Sequence, residues 1–495
     1  MDSVINFLNR ILWGSPDYPL VFQAGILGLL LVSVGVYFTI RLRGIQFRHF
    51  GHMISAFARS IKPEHSDAIS GFQAFSTSLA ARVGAGNISG VAIAITLGGP
   101  GAVFWMWMVA LIGMSTAMVE ATLAQLYKQR DAADGANVFR GGPAYYMQHG
   151  LGKRWMGIVF SVFLIMAFPF VFNSLQSNTV AAALDNGFGV EPGVTGVVVA
   201  LFTGVIIFGG IKRISKFAEL VVPFMAIAYL LIGLVVLAIH ITEVPSVLWN
   251  IVASAFGAGE AAAGFAGYAV AQAIAQGLKR GLFSNEAGLG SAPNAAATAD
   301  VPHPTSQGYV QSLGVFVDTI IISTVTALII LLSGVWIPGD DKYTGSGVIL
   351  TQDSLSASIG DFGGEFVAIA LVFFAFTSIV ANYYYGETSI LFIDGGNRRI
   401  LIPVRLLVIG FVLWGAFQSI DTVWNLADTA LGLMAMVNLV ALLLLSNAAI
   451  KVIQNYEDQK KLGVAPQFTH SSVTGLPGQL QADVWAAPAV TVKEQ

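Results

Sequence analysis

Eleven apolar runs recur along this chain, near residues 20–42, 68–98, 101–127, 155–184, 194–210, 217–240, 262–297, 309–336, 365–393, 400–418 and 425–449. Runs of about 20 apolar residues match the thickness of a bilayer. Inside a bilayer every backbone N–H and C=O must find its partner within the protein, so such runs become helices. The expected fold is therefore an all-α polytopic membrane protein with eleven transmembrane helices. Composition agrees: 55% of the 495 residues are hydrophobic and 11% charged, against about 25% charged in soluble domains. The chain has no cysteine, which excludes disulfides, thiol catalysis and cysteine metal sites.

Charge placement sets the orientation expected for these spans. Arg41, Arg43, Arg48, Arg59 and Lys62 follow the first span. Lys128, Arg130, Arg140, Lys153 and Arg154 follow the third, and Lys212, Arg213 and Lys216 the fifth. Arg398, Arg399 and Arg405 follow the ninth; Lys451, Lys460, Lys461 and Lys493 follow the eleventh. These are twenty of the 25 basic residues, and they fall on alternate connections. The positive-inside rule then puts the N-terminus outside and the C-terminus in the cytoplasm of a multi-pass protein of the cell (inner) membrane. An odd number of spans is required, and eleven satisfies it.

Before the first span, Asp2–Trp13 places Ile5, Leu8, Ile11 and Leu12 on one side, the pattern of an interfacial amphipathic helix. It lacks the basic start of a signal peptide. Residues 338–365 read as a long outer loop, and residues 454–495 as a polar, disordered cytoplasmic tail.

Two spans are interrupted. Arg82-Val83-Gly84-Ala85-Gly86-Asn87-Ile88-Ser89-Gly90 sits inside the run 69–97. Glycine costs about 1 kcal/mol against alanine in a helix, and an arginine at membrane depth costs several more. A broken helix there is tolerated where it lines a cavity, and in secondary transporters it marks the binding site. A glycine-rich packing face is the bland alternative. The run 277–290 is similarly polar, and Ser284 or Asn285 reads as the cap of a new half-helix. Five spans begin at each break, and five is odd, so the second set starts from the opposite side. This is a five-plus-five inverted repeat with two discontinuous helices and a site between the breaks. The expected domains are an N-terminal segment with one extra helix (1–66), a first repeat (67–246), a second repeat (247–453) and the tail (454–495).

Four segments then carry a family resemblance: Phe72-Gln73-Ala74, Leu79 through Ala92, Arg280-Gly281-Leu282-Phe283-Ser284-Asn285-Glu286-Ala287-Gly288, and Tyr383-Tyr384-Tyr385-Gly386-Glu387. They resemble the alanine or glycine:cation symporter family, over about residues 15–455. The resemblance implies a leucine-transporter-like core of five-plus-five inverted helices with one extra helix in front. It implies Na+ as coupling ion, a small neutral amino acid as substrate, contact with membrane lipid, and neither an organic cofactor nor a nucleic-acid partner.

What the resemblance implies for single residues follows the same segments. The backbone N–H groups of Ala85 and Gly86 match those that hold the substrate carboxylate, a use of helix-end N–H groups and dipole. The carbonyls of Ala80 and Val83, Asn87, and the hydroxyls of Thr377 and Ser378 match the sodium ligands; sodium prefers such hard oxygens. Back-bonding to the preceding turn is the alternative role for the two hydroxyls. Gln176, in the polar cluster Asn173–Asn178, matches a substrate ligand, with helix–helix bonding as its alternative. Thr77, Gly84, Asn285, Ser378 and Asn382 complete the substrate set. Asn382 departs from the family, which often carries a tryptophan there, so a wider or more polar pocket is expected.

Arg82, Glu120, Glu219, Glu286, Asp318 and Glu387 lie in or near spans, where charges pair or line a pathway. An Arg82–Glu286 pair would join the two breaks. The reading is a sodium-coupled importer of alanine, glycine and possibly serine or glutamine, working by alternating access. A proton-coupled transporter using a buried acid is the nearest rival. A channel fits an inverted repeat poorly. An enzyme is not expected: there is no His-Glu-x-x-His, and no Gly-x-x-x-x-Gly-Lys-Ser/Thr for ATP.

Overall fold

The computed structural model describes residues 2–14, 25–62, 65, 68–135, 137–258, 263–339, 341–343, 347–481 and 483–485. Residues 20–24 of the first apolar run and 486–495 of the tail lie outside the described residues. Nearly everything described is helical. An amphipathic α1 (Asp2–Trp13) is followed by α2 (Gly25–Arg41), α3 (Ile45–Arg48), α4 (Phe50–Arg59), α5 (Gly71–Arg82), α6 (Val91–Gly98) and α7 (Gly101–Leu126). A two-stranded antiparallel ribbon, β1 (Gln129–Arg130) with β2 (Phe139–Arg140), leads to α8 (Pro143–His149), α9 (Arg154–Ile165), α10 (Asn173–Phe188), α11 (Pro192–Ile207), α12 (Gly210–Ile239) and α13 (Val244–Ala255). The second half holds α14 (Ala263–Asn285), α15 (Pro293–Ala296), α16 (Pro304–Val315), α17 (Thr324–Leu332), α18 (Gly347–Ile359), α19 (Phe362–Ile393), α20 (Leu401–Gly415), α21 (Ile420–Leu444) and α22 (Ser446–Lys461).

Among the described residues, six helical stretches are long and apolar enough to cross a membrane: α7, α9 with α10, α12, α16 with α17, α19 and α21. The bent pair of α5 and residues 86–98 makes a seventh if counted as one span. Shorter apolar helices are α2, α11 and α13. The core of the bundle forms where α7 packs against both α14 and α16, and α10 against α19.

The first break has a local cause. Ser70 Oγ accepts from the Gln73 N–H while Gln73 Oε1 accepts from the Ser70 N–H, a capping box that starts α5. At Val83 the backbone turns extended, with φ −80° and ψ 98°, and α5 stops. The chain restarts as a π-helical turn, Gly86–Gly90, and the two halves meet at 50°. Two other spans also carry π-helical turns: Met166–Phe172 around Pro169, and Phe316–Ser323. Such turns insert one extra residue and gather at functional sites.

The second break differs from the sequence-based expectation. Ser284 and Asn285 are the last two residues of α14, so neither caps a new half-helix. Glu286, Gly288 and Gly290 take φ values of 58°, 88° and 85°, and the chain stays irregular until the single turn of α15. The left-handed backbone, natural for glycine and unusual for glutamate, ends the helix.

Two regions read as loop or tail hold helix or packed contacts among their described residues. Residues 338–365 contain α18, which buries Val348, Leu350 and Leu355. The tail begins with the rest of α22, and residues 462–481 and 483–485 then strap across one end of the bundle. Phe468 and Trp485 are buried there. Phe468 N–H donates to Pro302 O (2.9 Å), Gln479 N–H to His149 O (2.9 Å) and Trp485 Nε1 to Leu126 O (3.2 Å). A few aromatic anchors suffice to dock a polar segment whose composition reads as disorder.

Candidate substrate and cation site

Where α5 ends, three elements meet around its last carbonyls. Ser378 on α19 places its Oγ 2.7 Å from Ala80 O, 3.3 Å from Val83 O and 2.9 Å from Phe374 O. One hydroxyl proton serves one acceptor at a time. Several hard oxygens thus converge with too few protons between them, a donor set that suits a small cation. Thr377 is not brought to this point; its Oγ1 donates to Phe374 O at 2.9 Å, the back-bonding alternative.

On the other side of the break, Ala85 N–H donates to Gln176 Oε1 at 3.0 Å. A side-chain carbonyl therefore takes up a backbone N–H at the break. Gly84 lies between the two groups: a Cβ there would stand 2.6 Å from Ser378 Oγ and 2.8 Å from Gln176 Nε2. At Gly86 it would meet the Phe283 ring at 3.0 Å. Phe283 stacks on Phe172 (4.6 Å) and meets Trp424 at a tilt (4.6 Å, 45°), which lines the break with aromatic rings. Asn382 Nδ2 donates to Asn173 Oδ1 (3.1 Å), and the buried Asn382 Oδ1 has no partner among the described residues.

The other expected ligands point elsewhere. Thr77 Oγ1 bonds Gln73 O (2.8 Å) and Ser215 on α12 (3.2 Å), one turn or more before the break. Asn285 Oδ1 accepts from Ala287 N–H (3.0 Å) and so closes its own helix end. Asn87 turns away from Ser378. Its amide nitrogen faces Ser284 Oγ (2.9 Å), Asp318 Oδ1 (2.8 Å) and Ser323 Oγ (3.1 Å), while Gly84 N–H donates to its Oδ1 (3.2 Å). Asp318 Oδ2 also accepts from Ser284 (2.6 Å) and Thr319 (2.8 Å). The sequence reading placed Asp318 only among buried charges and did not single out Ser323. Their signal was an acid followed by two hydroxyls within one apolar run.

Other buried charges serve the scaffold. Arg82 reaches Gln311 O at 3.5 Å, while Glu286 accepts from Ser291 Oγ at 2.6 Å; the Arg82–Glu286 ion pair is absent among the described residues. Glu120 accepts from Gly288 N–H (2.9 Å) and Asn438 Nδ2 (2.5 Å), holding the second break in place. Gln73 Nε2 donates to Glu219 (2.8 Å). Glu387 lies between Arg140 (3.4 Å) and Arg405 (3.3 Å), and Arg140 and Arg398 both bind Asp131 at 2.8 Å. No group of three His, Cys, Asp or Glu able to hold a metal ion occurs among the described residues.

The profile of the sodium:alanine symporter family matches residues 1–470. The chain is 48% identical to the amino-acid carrier protein AlsT of Bacillus subtilis, over 98% of this chain and 97% of that one. It is 45% identical to the probable sodium/glutamine symporter GlnT of the same organism, over 94% and 93% of the two chains. The sodium/alanine symporter AgcS of Methanococcus maripaludis is 41% identical over 93% and 98%. These relatives are membrane transporters rather than enzymes, and matches of this length and identity make the chain a member of the sodium:alanine symporter family.

Proposed function

We propose that the protein is a sodium-coupled symporter that imports small neutral amino acids by alternating access. The carrying observation is the convergence of Ser378 Oγ with the Ala80 and Val83 carbonyls beside the free-ended α5. Sodium takes these oxygens together. The amino-acid carboxylate takes the N–H groups of Ala85 and Gly86, displacing Gln176 Oε1, whose amide then turns to the substrate. Asn382 and Asn173 face the substrate side chain, and an amide there admits serine or glutamine beside alanine and glycine. Thr77, Asn285, Asn87 and Thr377 drop to supporting roles in this reading, through their bonds to α12, Ala287, Asp318 and Phe374. One charge entering down 100 mV is worth about 2.3 kcal/mol, or nearly fiftyfold accumulation.

The same reading has eleven spans in two inverted repeats, 67–246 and 247–453, with the N-terminus outside and the C-terminus in the cytoplasm. It is supported by the alternation of basic connections and by the two breaks meeting near α7 and α19. Uptake of labelled alanine into proteoliposomes, with and without an inward sodium gradient at fixed pH, tests it. Competing glycine, serine and glutamine define the substrate range. Equal uptake without sodium refutes the coupling.

A proton-coupled reading has one observation in its favour: the buried Asp318 carboxylate, ringed by Asn87, Ser284 and Thr319. It requires uptake driven by a pH gradient in sodium-free medium, abolished in Asp318→Asn.

A further inference from the structure

Helices α3 and α4, separated by the non-helical His49 (φ −115°, ψ 23°), carry apolar residues on an inward and an outward side. The inward face packs Phe50 on Phe316 (4.8 Å) and Phe57 on Phe72 and Phe75 (5.5 and 4.9 Å). The outward face carries Phe47, Gly51, Ile54, Ala58 and Ile61, all exposed. Gly51, Ile54 and Ala58 make one stripe on α4 at spacings of three and four, with Phe47 on α3 before it and Ile61 two residues past its end. Phe47, Ile54 and Ile61 are each more than half exposed, at 57%, 51% and 53%. Arg48, Arg59 and Lys62 flank the stripe. An apolar stripe with basic flanks, outside the spans, is the pattern of a helix lying in the plane of the membrane.

Beside α3 and α4 opens a cavity of about 300 Å³, at the C-terminal end of α2 and against α22. Its basic wall is Arg41, Arg43, Arg48 and Lys461; Glu457, Asp458 and His49 line the other side. Both acids have a lysine beside them: Glu457 has Lys460 at 3.9 Å and Asp458 meets Lys461 at 2.9 Å, while His49, whose pKa burial lowers, touches Glu457 at 2.9 Å without cancelling its charge. Arg41 is held by Tyr37 OH and Asn447 (2.9 and 3.0 Å), and Arg48 leans on Arg43 O (3.2 Å), a neutral acceptor. Arg43 has no acceptor of its own among the described residues. Its backbone takes a left-handed φ of 56°, at the corner where α2 turns into α3. Among the described residues, three guanidinium groups without a carboxylate partner, Arg41, Arg43 and Arg48, thus stand beside an exposed apolar stripe.

We propose that this cavity is a binding site for the headgroup of an anionic phospholipid, whose acyl chains run along Phe47, Ile54 and Ile61. Charge complementarity selects the phosphate, and the stripe selects a lipid over a free anion. Arg43 and Arg48 hold the phosphate, and Arg41 widens the positive field. The site needs only that the chain spans a membrane, so it stands whether or not the substrate assignments above do.

Native mass spectrometry of the full chain, given phosphatidylglycerol or phosphatidylcholine in detergent, tests the site. Preferential retention of phosphatidylglycerol is expected. Arg43→Gln and Arg48→Gln should each lower that preference about fivefold, the effect of one basic residue at a membrane surface. Arg43→Lys should keep most of it, and Arg213→Gln, an exposed arginine elsewhere, all of it. Melting temperature reports whether each variant is folded. An unchanged preference in the folded Arg43→Gln/Arg48→Gln double variant overturns the proposal. So does displacement of the lipid by millimolar inorganic phosphate, which would make the cavity a site for a free anion.

Discussion

Gly84→Ala tests the geometry of the break most directly. The added methyl would stand 2.6 Å from Ser378 Oγ and 2.8 Å from Gln176 Nε2, where ordinary contact begins near 3.4 Å. Each partner must therefore retreat by more than half an ångström. Ser378 cannot do so without loosening its 2.7 Å contact to Ala80 O, and Gln176 without loosening its 3.0 Å bond to Ala85 N–H. Overpacking of this kind costs about 1–3 kcal/mol. If that energy is taken from ion and substrate binding, half-saturating sodium and alanine concentrations rise together, by about 5- to 150-fold. Gly90→Ala is the control, because its methyl meets Trp424 at an ordinary 3.5 Å. The assay is initial alanine uptake in proteoliposomes across a sodium series, beside a thermal melt. A folded Gly84→Ala protein with parental sodium and alanine dependence refutes the site, as does equal damage from Gly90→Ala.

Three further outcomes are expected. Ser378→Ala should raise the half-saturating sodium concentration more than tenfold, since bonds to a charged partner are worth about 1.5–3 kcal/mol. Thr377→Ala, which loses only a bond within α19, should change it little, and the reverse order in a sodium titration would exchange their roles. Asn382→Trp should retain glycine and alanine while losing serine and glutamine by about 1–3 kcal/mol of crowding; an unchanged competition profile removes Asn382 from the pocket. His303 is buried, and burial lowers its pKa from 6.5 to about 4. Its Nδ1 accepts from Thr305 N–H (3.1 Å) at the start of α16, a bond the protonated ring cannot make. Between pH 6.5 and 4 the unfolded chain binds a proton that the folded one does not, so stability falls as pH falls through this window. His303→Asn keeps a capping acceptor without titrating, and should flatten the loss in melts from pH 7 to 4.5.

The first break was legible because three glycines, an asparagine and an arginine are expensive in an apolar helix, and a packing face accounts for the glycines but not for the arginine and asparagine. The second was legible as a place and misread in its geometry. Serine and asparagine cap helix starts, but here the left-handed Glu286 and the glycines at 288 and 290 stop a helix instead. Direction was lost for the same reason at Asn87 and Thr77: sequence places a polar group on a span but does not say which neighbour it faces. Ser378 and Thr377 were indistinguishable as adjacent hydroxyls, and only the 100° step between them along α19 separates their roles. The strap at 462–481 and 483–485 escaped notice because two buried rings, Phe468 and Trp485, outweigh a polar composition.

That strap has a consequence for the order in which the protein is made. Trp485 ties to Leu126, 359 positions earlier, and Tyr127 OH donates to Pro477 O at 2.8 Å. Every span is therefore synthesised before the segment that closes this end of the bundle leaves the ribosome. Until then the Leu126, His149 and Pro302 carbonyls stay open to water, and Lys128 lacks the Trp485 ring that later covers it at 5.0 Å. A chain released early would carry all its helices and an unsealed base. Protease access at the 127–142 connection would thus report whether translation ran to its end.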